Sequence, residues 1–266
     1  MAQLSCRHCD PSHKRRPNQT FRDGHHRVQA SRVSHSSSIR RTERVSRPLQ
    51  LIGCGTTSWK GVTGGLVASL NRPGGNATGI SWFNAETAAK RLGLLHELVP
   101  GASMVALLVN PSDPDAGTQL VDVQEAASVL GRPVVLLNAA TADEIDAAFA
   151  VLVKQQAAAL VVTTNPFYLN RRDQIIALAA RHAVPAIYTS REFITAGGLI
   201  SYGNNLLDAY RRNGIYTGRI LKGDKPGDLP VDRSTKFELV INLETAKALG
   251  LDLPLSLQIR ADEVIE

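Results

Sequence analysis

Three short segments of this sequence carry side chains that suit the recognition of a small polar molecule. They are residues 110–113 (Asn-Pro-Ser-Asp), 163–168 (Thr-Thr-Asn-Pro-Phe-Tyr) and 189–192 (Thr-Ser-Arg-Glu), and each follows a short apolar run. Their hydroxyls, amides, aromatic rings, guanidinium and carboxylates supply donors for a carboxylate and acceptors for an ammonium group. The segments therefore indicate a binding surface for a small polar or zwitterionic ligand.

The same part of the sequence contains no recognisable catalytic or cofactor motif. The histidines after residue 63 are His96 and His182, both inside predicted helices, and neither a cysteine nor a Gly-x-Ser-x-Gly motif occurs there. Gly53 and Gly55 lack the third glycine of a dinucleotide-binding motif. Residues 113 and 192 could form a carboxylate pair, but separate ligand or solvent contacts are favoured. We therefore expect no enzyme activity, no cofactor and no metal site.

Alternating helices and strands must position the three polar segments. Apolar residues recur at helical spacing over 86–98, and Thr141 with Glu144 forms a capping box at a helix start. Further helices are predicted over 115–130, from Asn170 to 182, from Asn205 to 221 and over 243–249, and strands over 104–109, 133–137, 158–162, 184–188, 198–202 and 237–241. This alternation predicts an α/β fold with a doubly wound parallel sheet. Ligands bind such sheets outside the carboxyl ends of the strands, where the polar segments lie.

The charged residues are distributed unevenly along the chain. Residues 1–63 contain 12 Lys and Arg against 3 Asp and Glu, whereas residues 64–266 contain 18 against 21. The first segment has no apolar period, so we expect a basic, disordered head. It lacks the apolar stretch of a secretion signal and the apolar core of a helix-turn-helix domain. Cys6 and Cys9 have the spacing of half a zinc site without a second ligand pair, and a mis-started or out-of-frame translation also explains the composition.

Four sequence blocks resemble bacterial ABC-transporter substrate-binding proteins, in the group related to tryptophan- and tyrosine-binding members. The blocks are residues 65–79, 196–203, 219–230 and 236–250. The resemblance implies a type I periplasmic-binding fold, in which two lobes enclose a ligand. It also implies a small-molecule ligand resembling an amino acid, delivery to the membrane permease of an ABC importer, a periplasmic location and no nucleic-acid partner.

The resemblance places seven residues in the ligand cleft: Ser112, Asp113, Asn165, Phe167, Arg191, Glu192 and Tyr202. It implies that Arg191 pairs with a ligand carboxylate and that Asp113 or Glu192 pairs with an ammonium group. Phe167 or Tyr202 would offer a stacking surface, and hinge packing is the alternative role for Tyr202.

The family's first lobe has no visible counterpart in residues 1–63, and the resemblance begins abruptly near Gly64. We therefore expect a chain that is truncated or frame-disrupted at its N-terminus. Residues 64–202 would form a complete second lobe, and residues 203–266 a crossover and a remnant of the first lobe. Loss of one lobe would impair ligand binding, and a chain without an export signal would stay unexported. The alternative is a transcriptional regulator that uses the same fold as an effector domain behind a basic DNA-binding head.

Overall fold

The computed structural model describes residues 51–58, 65–82 and 85–266, which fall within one compact unit. Its helices are α1 (Ala85–Leu98), α2 (Ala116–Val129), α3 (Ala142–Lys154), α4 (Pro166–Asn170), α5 (Arg172–Arg181), α6 (Arg191–Thr195), α7 (Leu206–Leu221), α8 (Leu243–Ala248) and α9 (Leu255–Arg260). Its strands are β1 (Leu51–Ser58), β2 (Ala77–Trp82), β3 (Val105–Val109), β4 (Val134–Asn138), β5 (Ala159–Val162), β6 (Ala186–Tyr188), β7 (Ile200–Asn204), β8 (Asp232–Arg233), β9 (Phe237–Asn242) and β10 (Glu263–Ile265). None of the described helices has the length and apolar character needed to cross a membrane.

Seven strands form one large sheet in the order β10-β9-β7-β6-β5-β3-β4. Neighbouring strands run parallel except β7 and β9, which pair antiparallel with Gly203 opposite Glu238. Every strand and every long helix predicted from the sequence is present within a few residues of its expected bounds. The predicted α/β class is thus confirmed, and the antiparallel β9 is a departure from the all-parallel sheet that we predicted.

The large sheet is covered on both faces, which explains the continuous apolar runs of β3 and β5. Leu108 of β3 packs in one apolar cluster with Phe149 of α3. Its neighbour Leu107 packs in a second cluster with Leu92 and Leu95 of α1. A fully buried side chain of this size contributes about 1.5–3 kcal/mol. Two apolar layers, one on each face, therefore hold the strands whose carboxyl ends carry the polar segments.

Polar side chains determine where several helices begin. Thr141 and Asn205 each accept a hydrogen bond from the amide three residues later, as the sequence predicted for α3 and α7. Asn170 does not begin a helix, which corrects our prediction. Asn165 caps α4 instead, by accepting a hydrogen bond at 2.8 Å from the amide of residue 167. Pro166 then occupies the first helical position, where an N–H would have no helical partner.

A second, smaller sheet has the order β1-β2-β8, with both pairs of strands parallel. The hydroxyl of Thr78 on β2 donates to the carbonyl of Leu229 at 2.7 Å and holds the segment before β8. Helix α7 packs against this sheet through Ala209, which is buried beside Ile80. Because β1 lies within the expected disordered head, the structure corrects that expectation for residues 51–58, while the rest of the head lies outside the described residues.

The chain passes between the two sheets near the expected boundary at residues 202 and 203 and also at two other places. β2 falls within residues 64–202 but pairs in the small sheet, and α1, which follows it, covers the large sheet. Residues 203–266 divide: α7 and β8 join the small sheet, whereas β9 and β10 return to the large one. The sheets are therefore connected by three crossovers, after β2, after β7 and after β8.

The strands β6 and β7 require glycine at position 203. A Cβ atom there would lie 1.9 Å from the carbonyl oxygen of Thr189, well inside van der Waals contact with rigid backbone. The lack of room for a Cβ atom, rather than an unusual backbone angle, therefore excludes every residue other than glycine at position 203, near the end of β7.

We expect Gly203→Ala to lower the free energy of unfolding by roughly 3 kcal/mol, because the new methyl group must push the backbone of Thr189 away. Urea denaturation followed by circular dichroism measures the change. The matched control is Gly214→Ala, inside α7, where an added Cβ meets no atom within 4 Å and alanine should stabilise the helix by about 0.5–1 kcal/mol. Equal unfolding midpoints for the two variants would contradict this account of Gly203.

Candidate functional site

A cleft opens where the carboxyl ends of β5, β6 and β7 meet. Its empty space, with the open mouth included, measures about 590 Å³. Its described lining comes from α1, from the segments that follow β5 and β6, from the end of β7 and from the start of α7. The lining thus combines elements that cover the large sheet with a helix that packs on the small one.

Arg91 of α1 places a positive charge in this cleft. Its side chain is only 1% exposed. Its guanidinium donates hydrogen bonds of 3.3–3.4 Å to the hydroxyls of Thr87 and Thr164 and to the carbonyl of Tyr202. Nε has no partner, and among the described residues no carboxylate forms an ion pair with Arg91. Burial lowers the pKa of Arg91 to about 10, so the group stays charged at neutral pH.

A buried guanidinium with only neutral partners favours the binding of an anion. Removing a cation from water costs several kcal/mol, and neutral hydrogen-bond acceptors offset only part of this cost. A carboxylate that enters the cleft would supply the missing charge and accept two parallel hydrogen bonds in the geometry that guanidinium prefers. The cleft is therefore chemically suited to a small carboxylate.

Two further residues of the cleft have unused hydrogen-bonding atoms. Ser190 follows β6 and Asn204 ends β7, and both are buried. The hydroxyl of Ser190 and the amide oxygen of Asn204 have no partner in the structure. Because buried polar atoms are normally paired, these two atoms add unfilled donor and acceptor capacity beside Arg91.

The segment after β5 is held in place by side chains of α2 and of the turn before it. The side-chain amide of Gln119 accepts from the backbone N–H of Thr164 at 2.8 Å and donates to its carbonyl at 3.2 Å. Asn165 donates from its amide to the carboxylate of Asp113 at 2.6 Å. These contacts fix the position of the Thr164 hydroxyl that bonds Arg91.

Apolar side chains make up the rest of the described lining. Pro166 and Leu169 come from α4, and Leu206 and Tyr210 come from α7. The ring of Tyr210 is 58% exposed although it borders the cleft. A ligand that joins a carboxylate to an apolar or aromatic body would match these two kinds of lining.

Of the seven predicted ligand residues, Asn165 is the one that lines the cleft. Asp113 lies behind it and is held by the Asn165 amide and by the amide N–H of residue 115. Ser112 donates its backbone N–H to the side chain of Asn110 within the same turn. Phe167 faces the apolar core, where its ring lies 5.6 Å from that of the neighbouring tyrosine.

Arg191, Glu192 and Tyr202 lie behind the cleft and have local partners. Arg191 pairs with Glu263 at 2.6 Å and approaches Glu238 at 3.8 Å, so its charge is already compensated. Glu192, on the same short helix, has one buried oxygen without a partner but does not line the cleft. Tyr202 contributes its backbone carbonyl to Arg91 and stacks its ring on Phe237, with the centroids 5.9 Å apart. The structure therefore does not bring Asp113 and Glu192 together in the cleft.

The sequence analysis missed the residue with the strongest electrostatic role, Arg91. A signal for it exists, since Arg91 occupies the buried stripe of α1 between Ala88 and Leu95, where a helix facing a core normally carries an apolar side chain. The described residues contain no group of three or more side chains that could hold a metal ion. His182 packs its ring against Phe149, at 6.3 Å between centroids, away from the cleft.

The chain is similar to several known proteins, two of which bind or contain a bound amino acid. It is 27% identical over 190 residues to the Tyrosine-binding protein of Clostridioides difficile (strain R20291), a match that covers 71% of this chain and 54% of the relative. Among solved structures, an ABC domain in complex with L-Trp from Streptococcus pneumonia is similar with a TM-score of 0.68 and 26% identity, over 77% of this chain and 70% of that one. The ligand-free, open structure of a substrate binding protein with adhesive properties from Clostridium difficile is similar with a TM-score of 0.56 and 26% identity, over 77% and 68%.

The chain spans about half the length of the curated relative that it matches. The family model for ABC transporter substrate binding protein matches residues 26–265. This match begins well before Gly64, which corrects the expected start of the resemblance. The match covers most of the sequence and agrees with the α/β architecture described above, so the chain belongs to the family of ABC transporter substrate-binding proteins.

Proposed function

We propose that this chain is the solute-binding component of an ABC importer and that it binds a small amino-acid-like ligand through its carboxylate. The observation that carries this proposal is Arg91, a buried guanidinium that lines the cleft and has no carboxylate partner among the described residues. In this role Arg91 takes the place that the sequence analysis assigned to Arg191. The ligand carboxylate would pair with the guanidinium, and the hydroxyls of Thr164 and Ser190 would complete the polar contacts.

The lining also supports an aromatic or large apolar ligand side chain. Leu206 and Tyr210 of α7 and Leu169 of α4 offer apolar surface, and a planar ring stacked on Tyr210 would gain about 0.5–1.5 kcal/mol beyond its buried area. The Tyrosine-binding relative and the L-Trp complex agree with this ligand class. For the ammonium group, the unpaired amide oxygen of Asn204 is an available acceptor.

Family membership supports a membrane permease as the partner and a location outside the cytoplasmic membrane. Such a protein captures its ligand, and a separate permease carries that ligand across the membrane. The impaired affinity inferred from the sequence stays a prediction, and the absolute dissociation constants from the titration below measure it directly.

We expect isothermal titration calorimetry of the full chain to detect binding of L-Tyr or L-Trp. Tyramine and tryptamine, which lack the carboxylate, should bind at least about 10-fold more weakly, because they cannot pair with Arg91. Each amine has the same ring and ammonium group as the corresponding amino acid, so the difference in affinity measures the contribution of the carboxylate. If the amines bind as tightly as the amino acids, or if no amino acid binds, the proposed function is wrong.

Arg91→Met should weaken the binding of the same amino acid by about 100-fold or more, since it removes the cation and keeps a side chain of similar length. The thermal unfolding midpoint should not fall, because a buried charge is removed as well. Arg181→Met, on the exposed face of α5, serves as the control for loss of one positive charge and should leave the dissociation constant unchanged. An Arg91→Met affinity within threefold of wild type would contradict the assignment.

A further inference from the structure

A buried carboxyl group, that of Glu238, helps to join the crossover from β7 to α7 to the large sheet. Glu238 lies on β9 opposite Gly203, and Gly203 and Asn204 line the cleft on the neighbouring strand. The Glu238 side chain is only 6% exposed. It thus lies directly behind residues that border the ligand cleft, although it does not line the cleft itself.

Glu238 reaches α7 through Asn205. The Asn205 amide donates from Nδ2 to Glu238 Oε2 at 2.8 Å, while its Oδ1 accepts from the backbone N–H of Asp208 at 2.8 Å. The backbone N–H of Asn205 also donates to the carbonyl of Lys236 at 2.9 Å. One side chain therefore caps the first turn of α7 and at the same time ties that turn to β9.

We propose that Glu238 is a positioning residue for the ligand cleft, which acts through Asn205 to hold the first turn of α7, and with it Leu206, in the ligand-binding position. The proposed function supplies the ligand for this inference, whereas the observations about Glu238 are independent of which amino acid binds. Release of Asn205 from Glu238 would leave the α7 cap in place but remove the side-chain link between the first turn and β9.

The surroundings of Glu238 make this contact sensitive to pH. Burial raises the pKa of the Glu238 carboxyl, and Glu192 and Asp262 raise it further, whereas Arg191 and the hydrogen bond from Asn205 act in the opposite direction. Further charged groups nearby are Glu263, which pairs with Arg191, Asp208, which pairs with Arg212, and Lys236, which immediately precedes β9. Glu238 Oε1 has no partner, so the ionised carboxyl would be incompletely paired.

The sign of the effect follows from the raised pKa. The arrangement in which the β7–α7 crossover packs over the buried Glu238 favours the neutral carboxyl over the ionised one. The stabilisation of this arrangement is therefore fully present at low pH and is lost as the pH rises through the folded-state pKa of Glu238. Above that pH the ionised group gains water if the crossover separates from β9. The first turn of α7 should therefore be held more firmly in acid than in mildly alkaline solution.

The first test compares wild type with Glu238→Gln, which keeps an oxygen to accept from Asn205 and cannot ionise. Calorimetry with L-Tyr or L-Trp should show wild-type affinity falling about threefold to tenfold between about pH 5 and about pH 8, and Glu238→Gln should keep the low-pH affinity throughout. Asp252→Asn, which removes an exposed loop carboxylate, should follow wild type. If Glu238→Gln shows the same pH dependence as wild type, the proposal is overturned.

A second measurement needs no ligand, so it separates this inference from the proposed function. Hydrogen exchange of the amides in the first turn of α7 at about pH 8 should be slower in Glu238→Gln than in wild type, by about threefold or more. Asn205→Ser keeps a helix cap but is too short to reach Glu238, and it should speed the same exchange. Equal exchange in all three proteins would refute the positioning role, whereas failure of every amino acid to bind would refute the proposed function alone.

Discussion

The burial of Arg91 is the constraint around which the described part of this protein is arranged. A guanidinium removed from water needs hydrogen-bond acceptors and, ideally, a negative charge. Within the described residues the fold supplies only neutral acceptors, which are the hydroxyls of Thr87 and Thr164 and the backbone carbonyl of Tyr202. These come from α1, from the segment after β5 and from β7, so three separate elements must meet at one point. The cleft opens where these three elements meet, and the buried positive charge of Arg91 favours the binding of an anionic ligand there.

The regular elements were predictable because their signals are local. The apolar run of β3, the stripe of α1 and the caps at Thr141 and Asn205 depend on a few neighbouring residues, and the structure contains them as expected. Strands β1, β2, β8 and β10 were not predicted. β8 and β10 are only two and three residues long, and all four are held by pairing with other strands. Their place in the sheets is a tertiary property that periodicity does not reveal.

The candidate site was predicted less well, because the direction of a side chain depends on which partner lies within reach. Of the three segments selected by position after a strand, 163–168 and 189–192 contribute residues to the lining of the cleft, whereas 110–113 does not. Within them, Arg191 turns toward Glu263 and Glu238, which are more than forty residues away in sequence and join it only through β9 and β10. Arg91 could be found only by asking why a charged residue interrupts an apolar stripe. A charge at a core position is thus a better signal here than a charge in a loop.

The two hydrogen bonds between the Gln119 side-chain amide and the backbone of Thr164 have a consequence for the thermodynamics of ligand binding. They imitate the pairing of a neighbouring strand, so the conformational entropy of this loop is already lost when the chain folds. A ligand that contacts Thr164 therefore binds to a preorganised surface, and the entropy lost on binding is mainly the ligand's own translational and rotational entropy. The remaining ordering falls on α7, where the half-exposed ring of Tyr210 has rotamer freedom to lose. The preorganised Thr164 side of the cleft would therefore contribute mainly favourable enthalpy to binding. The α7 side would instead adapt its side chains to the ligand.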